Sequence, residues 1–324
     1  MRRFLVYTLT LAFFFAASEP TLAQFGPFGG SGSVSAELAT DPLLPDPYEE
    51  VTVSLRDAGT NLQGARIDWF IDGSSPIYDA ANRRSVTLTA PGPGETLTIS
   101  AAINHNSGER VIVNRTIAPV YLDVIVEPQT RTPPFYEGRA VPSSESIVRL
   151  LALVNGTDAG ARNLSYRWEV AGDVVENGPV RGGNEVVLKL PQRRSATVDL
   201  EVFNAFDEKI AERRISLQLS EPEVLFYEVS SLYGLSRFPM DRRYLLSGSS
   251  LTLQAEPYHL TFPTYNQPEQ IEWEINGRQQ RPSESPYRIT LERLLGSGSS
   301  NIEFRVQDTA DFLQGARGEV TVSY

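Results

Sequence analysis

The side chains that most often carry out catalysis are scarce in this chain. It contains no cysteine and only two histidines, His105 and His259. His105 lies in a predicted hairpin turn, and His259 follows Glu256-Pro257-Tyr258. A serine triad needs a histidine held in place by a third group, and neither histidine lies in a motif that provides one. No phosphate-binding loop or paired-histidine metal motif occurs either. The sequence therefore favours a protein that is not an enzyme and uses no cofactor.

Two carboxylates, Asp68 and Asp72, flank Trp69 and could serve as oxygen ligands for calcium. Four residues along a strand separate side chains by ~13 Å, because each residue advances the chain by ~3.3 Å. Two groups at that distance do not share one ion. We therefore predict no metal site, and we expect both carboxylates to be solvated.

Two long connections are rich in aromatic residues and are candidate interaction loops. Residues 130–142 contain Phe135 and Tyr136, residues 231–240 contain Tyr233 and Phe238, and Tyr258 lies further along the chain. One interpretation is that these five rings form an exposed anchor for a protein or a glycan. The alternative is that they pack against the preceding module and stiffen the chain. The sequence favours the packing interpretation, because long loops near a domain junction gain stability from such contacts.

A repeated sequence pattern around the tryptophans indicates the β-strands from which these loops extend. All three tryptophans, Trp69, Trp168 and Trp273, occur in the form apolar-x-Trp-x-apolar-x-Gly. This alternation places each tryptophan and its apolar neighbours on one face of a strand, and the glycine allows the chain to turn back. We expect each tryptophan to be a structural core residue.

The tryptophans recur at intervals of about 100 residues, which is the size of one immunoglobulin-type sandwich. Around each of them lie about seven short alternating segments separated by turn residues. The sequence thus predicts an all-β fold, with three immunoglobulin-like β-sandwich domains in tandem. The predicted domains are residues 34–119, 120–219 and 220–324, called modules one, two and three below.

Two details refine this prediction. Apolar pairs stand where an immunoglobulin domain has its disulfide, namely Val53 with Ile99 and Leu253 with Phe304. Three prolines within residues 41–47 cannot lie in a central strand, and we expect this segment to cross from one sheet to the other.

The first residues are typical of a signal peptide. Arg2-Arg3 are followed by an apolar run over residues 4–17 and by the small-residue site Thr21-Leu22-Ala23. We predict a signal peptide over residues 1–23 and a flexible Gly/Ser-rich linker over residues 24–33. No later apolar run is long enough to span a membrane. The net charge of −11 argues against nucleic acid and anionic membranes as partners. The mature chain is expected to be extracellular, on the cell surface or periplasmic.

The Trp strand followed by glycine resembles the polycystic-kidney-disease (PKD) domains and related bacterial Ig-like domains. Three further stretches, Pro133 to Gly138, Leu225 to Glu228 and Gly296 to Ile302, resemble segments of uncharacterised exported bacterial proteins with three Ig-like modules. This resemblance implies a cell-surface or periplasmic location, and it implies no catalytic residues.

Two functional hypotheses follow. The first is a non-enzymatic exported scaffold of the cell envelope, with a protein partner, associated with a pilus-type or secretion-type assembly. The alternative is a carbohydrate- or cell-surface-binding adhesin module, with a surface glycan as its partner. Exposed aromatic side chains would favour the second hypothesis.

Overall fold

The computed structural model describes residues 36–57, 62, 64–73, 75–282, 285–293, 297–311 and 313–324. The predicted signal peptide and linker lie outside these residues. Within them the chain is almost entirely β-structure, arranged as six sheets that pair into sandwiches. The predicted fold class, a tandem array of immunoglobulin-like β-sandwiches, is therefore confirmed. Among the described residues, no helix combines the length and the apolar character needed to cross a bilayer.

Module one contains a three-stranded sheet of order β1-β2-β5 and a four-stranded sheet of order β4-β3-β6-β7. A short 3-10 helix, Tyr78–Ala80, precedes β5. The strands are β1 (Ala36–Asp41), β2 (Glu50–Asp57), β3 (Arg66–Ile71), β4 (Ser75–Pro76), β5 (Ser85–Thr89), β6 (Leu97–Asn104) and β7 (Arg110–Ile117).

Module two repeats this plan. One sheet has the order β13-β9-β8, and the other has the order β11-β10-β14-β15 with β12 also paired to β10. Two 3-10 helices, Ala161–Asn163 and Val175–Asn177, lie in its connections. The strands are β8 (Tyr121–Pro128), β9 (Ile147–Asn155), β10 (Ser165–Val170), β11 (Asp173–Val174), β12 (Val180–Arg181), β13 (Glu185–Lys189), β14 (Ser195–Phe203) and β15 (Lys209–Gln218).

Module three has the sheets β17-β16-β19-β22 and β18-β24-β23-β20-β21, in which β18 lies parallel to β24. A five-residue helix, α1 (Phe262–Asn266), follows β19. The strands are β16 (Glu223–Ser230), β17 (Gly234–Leu235), β18 (Arg243–Leu245), β19 (Ser250–Tyr258), β20 (Gln270–Ile275), β21 (Arg278–Gln280), β22 (Arg288–Glu292), β23 (Ser299–Gln307) and β24 (Gly315–Ser323).

The glycine after each tryptophan strand belongs to a tight hairpin. In module one, Asp72 and Gly73 have φ values of 48° and 72°, and modules two and three show the same pair of positive values. Two consecutive residues with positive φ define the type I′ turn that joins antiparallel strands. The Asp72 carboxylate also accepts the backbone N–H of Thr98 at 2.9 Å, so this residue has a structural role in the turn.

Each tryptophan is buried within a separate hydrophobic core, one per module. Each indole N–H donates a 2.9 Å hydrogen bond to a backbone carbonyl 13–15 residues further along the chain. The acceptors are the carbonyl oxygens of Arg83, Gly183 and Pro286. Because the only polar atom of the ring is satisfied, the whole side chain is buried without an unpaired donor. The apolar pairs that replace the disulfide, Val53 with Ile99 and Leu253 with Phe304, are buried as well.

One prediction about the connections is wrong. The proline-rich segment after β1 does not cross between sheets, because β1 and β2 are antiparallel neighbours with Ala36 opposite Asp57 and Asp41 opposite Thr52. Its prolines, which lack an N–H, lie between the two strands, where no ladder hydrogen bond is lost. The corresponding strands of modules two and three are paired in the same way.

Candidate functional site

The connection between β8 and β9, called the second-module loop below (residues 129–146), extends onto module three. The Arg131 N–H donates to the Leu260 carbonyl at 2.7 Å, and the Phe262 N–H donates to the Gln129 carbonyl at 3.0 Å. Thr130, between them, forms an antiparallel bridge with Thr261. The loop therefore acts as a short extra strand that joins the two modules through backbone hydrogen bonds.

A buried glutamine completes this junction. The Oε1 of Gln314 accepts the Thr261 N–H at 2.8 Å, and its Nε2 donates to Ser143 Oγ at 3.1 Å and to the Ser144 carbonyl. Ser143 Oγ in turn donates to the His259 carbonyl at 2.7 Å. Gln314 and Ser143 are fully buried. A buried amide that uses both donors and its acceptor avoids the cost of an unsatisfied polar group, and it fixes the two modules relative to each other.

An ion pair also crosses the junction. Arg131 Nη2 lies 3.2 Å from Glu256 Oε2, with both side chains largely buried, and Gln254 donates to the other carboxylate oxygen. The guanidinium lies over the ring of Tyr265, 4.6 Å from its centroid. Burial raises the pKa of Glu256 above its usual value, although the neighbouring guanidinium opposes this effect. Arg131 therefore offsets part of the cost of burying the Glu256 carboxylate.

The aromatic residues of the second-module loop also contact module three. The ring of Phe135 meets Tyr227 edge-on at 5.2 Å, and the ring of Tyr136 meets Tyr258 edge-on at 5.6 Å. The hydroxyl groups of Tyr227 and Tyr258 are 2.6 Å apart and buried. Tyr258 is therefore part of the junction and not an exposed anchor.

The expectation that these rings pack against the preceding module is wrong for this loop. Phe135 and Tyr136 belong to module two and pack against module three, which follows it. The reason is the backbone pairing of residues 129–131 with residues 259–262, which carries the rest of the loop across the junction.

Beside these rings lies a cleft of about 320 Å³, called the junction cleft below. Module three contributes most of its wall. It is lined by Phe135, Tyr136, Glu137, Glu223, Leu225, Tyr227, Arg237, Pro239, Tyr258 and His259. The buried Tyr227 and Tyr258 belong to the junction itself, whereas Tyr136 keeps 40% of its surface exposed. The junction cleft thus offers aromatic surface together with charged side chains at its edge.

The connection after β16, called the third-module loop below (residues 231–242), carries the two remaining candidate residues. Tyr233 and Phe238 are 86% and 80% exposed, and the neighbouring Leu232 is 77% exposed. The predicted packing of these two rings against a module is therefore not observed. The loop returns along β16, where the Met240 N–H donates to the Phe226 carbonyl at 2.7 Å. Leu232 and Tyr233 thus lie at the end of β16 that is distant from the junction.

The junction between modules one and two is built differently. Arg213 and Asp46 form an exposed ion pair with an N–O distance of 3.3 Å, and the backbones of Gly94 and Gly156 approach closely. Beside them is an open groove of about 790 Å³, whose lining includes Leu43. In the part of the chain that the structure describes, no other hydrogen bond or ion pair joins these two modules.

The residues considered above for catalysis and metal binding take part in the local structure of the chain. His105 begins the hairpin between β6 and β7, where its N–H donates to the Glu109 carbonyl at 2.8 Å. His259 has a backbone φ of 61°, and burial lowers its pKa below the usual value. Asp68 pairs with Arg66 at 3.1 Å. The described residues contain no group of three acidic or histidine side chains suited to a metal ion.

No family model and no curated protein matches the chain. Several solved structures of immunoglobulin-like and fibronectin-like modules do, each at low identity. The fibronectin(III)-like modules of Clostridium thermocellum CbhA share 12% identity, with a TM-score of 0.27, over 56% of this chain and 94% of that one.

The first three domains of the outer capsid protein Hoc of bacteriophage RB49 share 11% identity over 90% of this chain and 97% of that one, with a TM-score of 0.25. SGBP-B of Bacteroides ovatus, solved with a mixed-linkage heptasaccharide, shares 14% identity over 93% of this chain and 69% of that one, with a TM-score of 0.23. At these scores the assignment of the fold rests on the sheets of the chain itself.

Proposed function

We propose that this chain is an exported, non-enzymatic interaction protein of the cell envelope. In this proposal modules two and three form one rigid unit that presents the third-module loop to a protein partner, within a pilus-type or secretion-type assembly. The basic start and apolar run at the N-terminus support export, because they follow the pattern of a signal peptide.

The observation that carries the proposal is the position of the third-module loop. In modules one and two, the connection between the first strand and its neighbour in the same sheet lines the junction with the next module. In module three the corresponding connection bears Leu232, Tyr233 and Phe238, all exposed. Large apolar side chains exposed on one loop are candidates for protein contact, and Tyr and Phe are enriched at the centres of interfaces. The partner is therefore expected to cover this loop.

Site-specific cross-linking tests the proposal directly, because the chain has no native cysteine. A photoreactive label on Tyr233→Cys is expected to capture a discrete partner in intact envelopes of the source cells. A label on Gln279→Cys, at an exposed position of β21, is the matched control and should capture none. The proposal fails if both positions give the same products, or if position 233 gives none.

The alternative is a carbohydrate- or cell-surface-binding adhesin module. What favours it is the junction cleft, which Arg237 and Pro239 of the third-module loop line but Leu232 and Tyr233 do not.

A further inference from the structure

We infer that the junction cleft binds a saccharide. This inference rests on the alternative function given above and names its site and its ligand class. The protein partner of the leading proposal is expected on Leu232, Tyr233 and Phe238, which do not line the cleft, whereas Arg237 and Pro239 beside Phe238 do. The cleft volume of about 320 Å³ lies at the lower end of the ~300–1,000 Å³ typical of small-molecule sites. This space suits one or two sugar rings.

The polar groups at the edge of the cleft are free to bind a ligand. The side chains of Glu137, Glu223 and Arg237 are exposed, and none of them forms a hydrogen bond or ion pair with another residue that the structure describes. Carboxylates only accept hydrogen bonds, and a guanidinium only donates them. A sugar hydroxyl does both, so one ligand with several hydroxyl groups can satisfy all three side chains.

The same set of charges disfavours simple ions. Arg237 and the two carboxylates line the same cleft. An anion there would therefore share the site with two negative charges, and a cation would share it with a guanidinium. A hydroxyl-rich ligand without net charge avoids both conflicts. The mixed charges of the cleft thus favour a neutral saccharide over a free phosphate or a metal ion.

The aromatic surface is held in place before a ligand arrives. Tyr136 packs edge-on against the buried Tyr258, and its ring lies directly against Gly138, where a Cβ atom would come within 2.5 Å of the Tyr136 Cζ. The aliphatic face of a sugar ring is apolar and packs on such a ring. Because Tyr136 is fixed by its neighbours but 40% exposed, it can give this contact without losing much conformational freedom on binding.

The test is binding of the full mature chain to an immobilised panel of neutral, amino and acidic oligosaccharides, followed by calorimetry with any saccharide that binds. We expect a neutral saccharide to bind, and both Tyr136→Ala and Glu137→Gln to weaken it about tenfold. Glu137 is exposed, so its variant keeps the fold even if Tyr136→Ala loosens the junction. Tyr78→Ala, an exposed tyrosine of module one, is the control and should bind like wild type.

Two results would overturn the inference. One is the absence of binding to every saccharide on the panel. The other is binding that neither Tyr136→Ala nor Glu137→Gln weakens, which would place the ligand elsewhere. Cross-linking at position 233 does not depend on either variant, so failure of the saccharide site and failure of the protein partner are distinguishable.

Discussion

The two junctions of this chain have linkers of similar length but very different contacts. Residues 118–120 join module one to module two, and residues 219–222 join module two to module three. At the second junction, backbone pairing, the buried side chain of Gln314 and the Arg131–Glu256 ion pair connect the modules. At the first, an exposed ion pair and one close backbone approach lie beside an open groove.

The difference follows from a single loop. The connection after the first strand faces the next module at both junctions, but it spans residues 42–49 in module one and 129–146 in module two. The longer loop reaches across and pairs with module three, whereas the shorter one contributes only Asp46 and the apolar lining of the groove. The contacts between neighbouring modules therefore depend more on the length of the connection after the first strand than on the length of the linker that joins the modules. We expect modules two and three to unfold as one unit and module one to unfold separately.

Tryptophan truncation gives the largest expected effect on this comparison. Trp168→Ala or Trp273→Ala is expected to cost ~3–5 kcal/mol through loss of core contacts. Because the modules are coupled, each variant should lower the shared unfolding transition of modules two and three, measured by calorimetry. Trp69→Ala should lower only the transition of module one. If Trp273→Ala leaves module two unfolding at the wild-type temperature, the second junction does not couple the two modules.

Removing the buried cation tests the ion pair. Arg131→Met removes the guanidinium that lies over Tyr265 and leaves the Glu256 carboxylate buried without its partner, at a cost of ~3 kcal/mol to the shared transition. Adding Glu256→Gln should recover much of this loss, because the unpaired charge is removed.

The loss in Arg131→Met should depend on pH. Burial raises the pKa of Glu256 in the folded state, and removing Arg131 raises it further. A carboxyl group with a raised folded pKa favours folding below its unfolded pKa and loses that contribution as the pH rises through the folded value. The variant should therefore melt closest to wild type in acid and furthest from it at neutral pH. Equal losses in thermal stability at both pH values would contradict the role assigned to the buried charge.

A smaller effect is expected at the first junction. Gly156 has a φ of +94°, and a Cβ there would lie 2.6 Å from the Gly94 nitrogen, so Gly156→Ala must move the two backbones apart. Gly172, with a φ of +96° and no atom near its Cβ position, provides the control for backbone strain alone. Each alanine should cost ~1 kcal/mol through the strained backbone. Gly156→Ala should also change the small-angle X-ray scattering of the chain, because it reorients module one, whereas Gly172→Ala should not. Identical scattering from the two variants would contradict the close approach of modules one and two.

The β-sandwiches can be predicted from the sequence, but the contacts at the junctions between modules cannot. The tryptophan pattern predicts one core per repeat, because local alternation alone decides which face of a strand is buried. The junction depends on Arg131, Glu256 and Gln314, single polar residues in unremarkable local contexts. Arg131 and Glu256 are 125 positions apart, and Gln314 and Ser143 are 171 apart. No local periodicity connects such residues. The local signals are the length and the aromatic residues of the second-module loop, and neither shows which neighbouring module the loop contacts.

The most direct test of the account measures distances across both junctions in the same chain. Spin labels can be attached at Thr197→Cys in module two, paired with Asn114→Cys in module one or Gln279→Cys in module three, since no native cysteine interferes. All three positions are exposed. Pulsed electron resonance should give a narrow distance distribution for the pair across the second junction and a broad one across the first. Distributions of equal width, or a broader one across the second junction, would contradict the account.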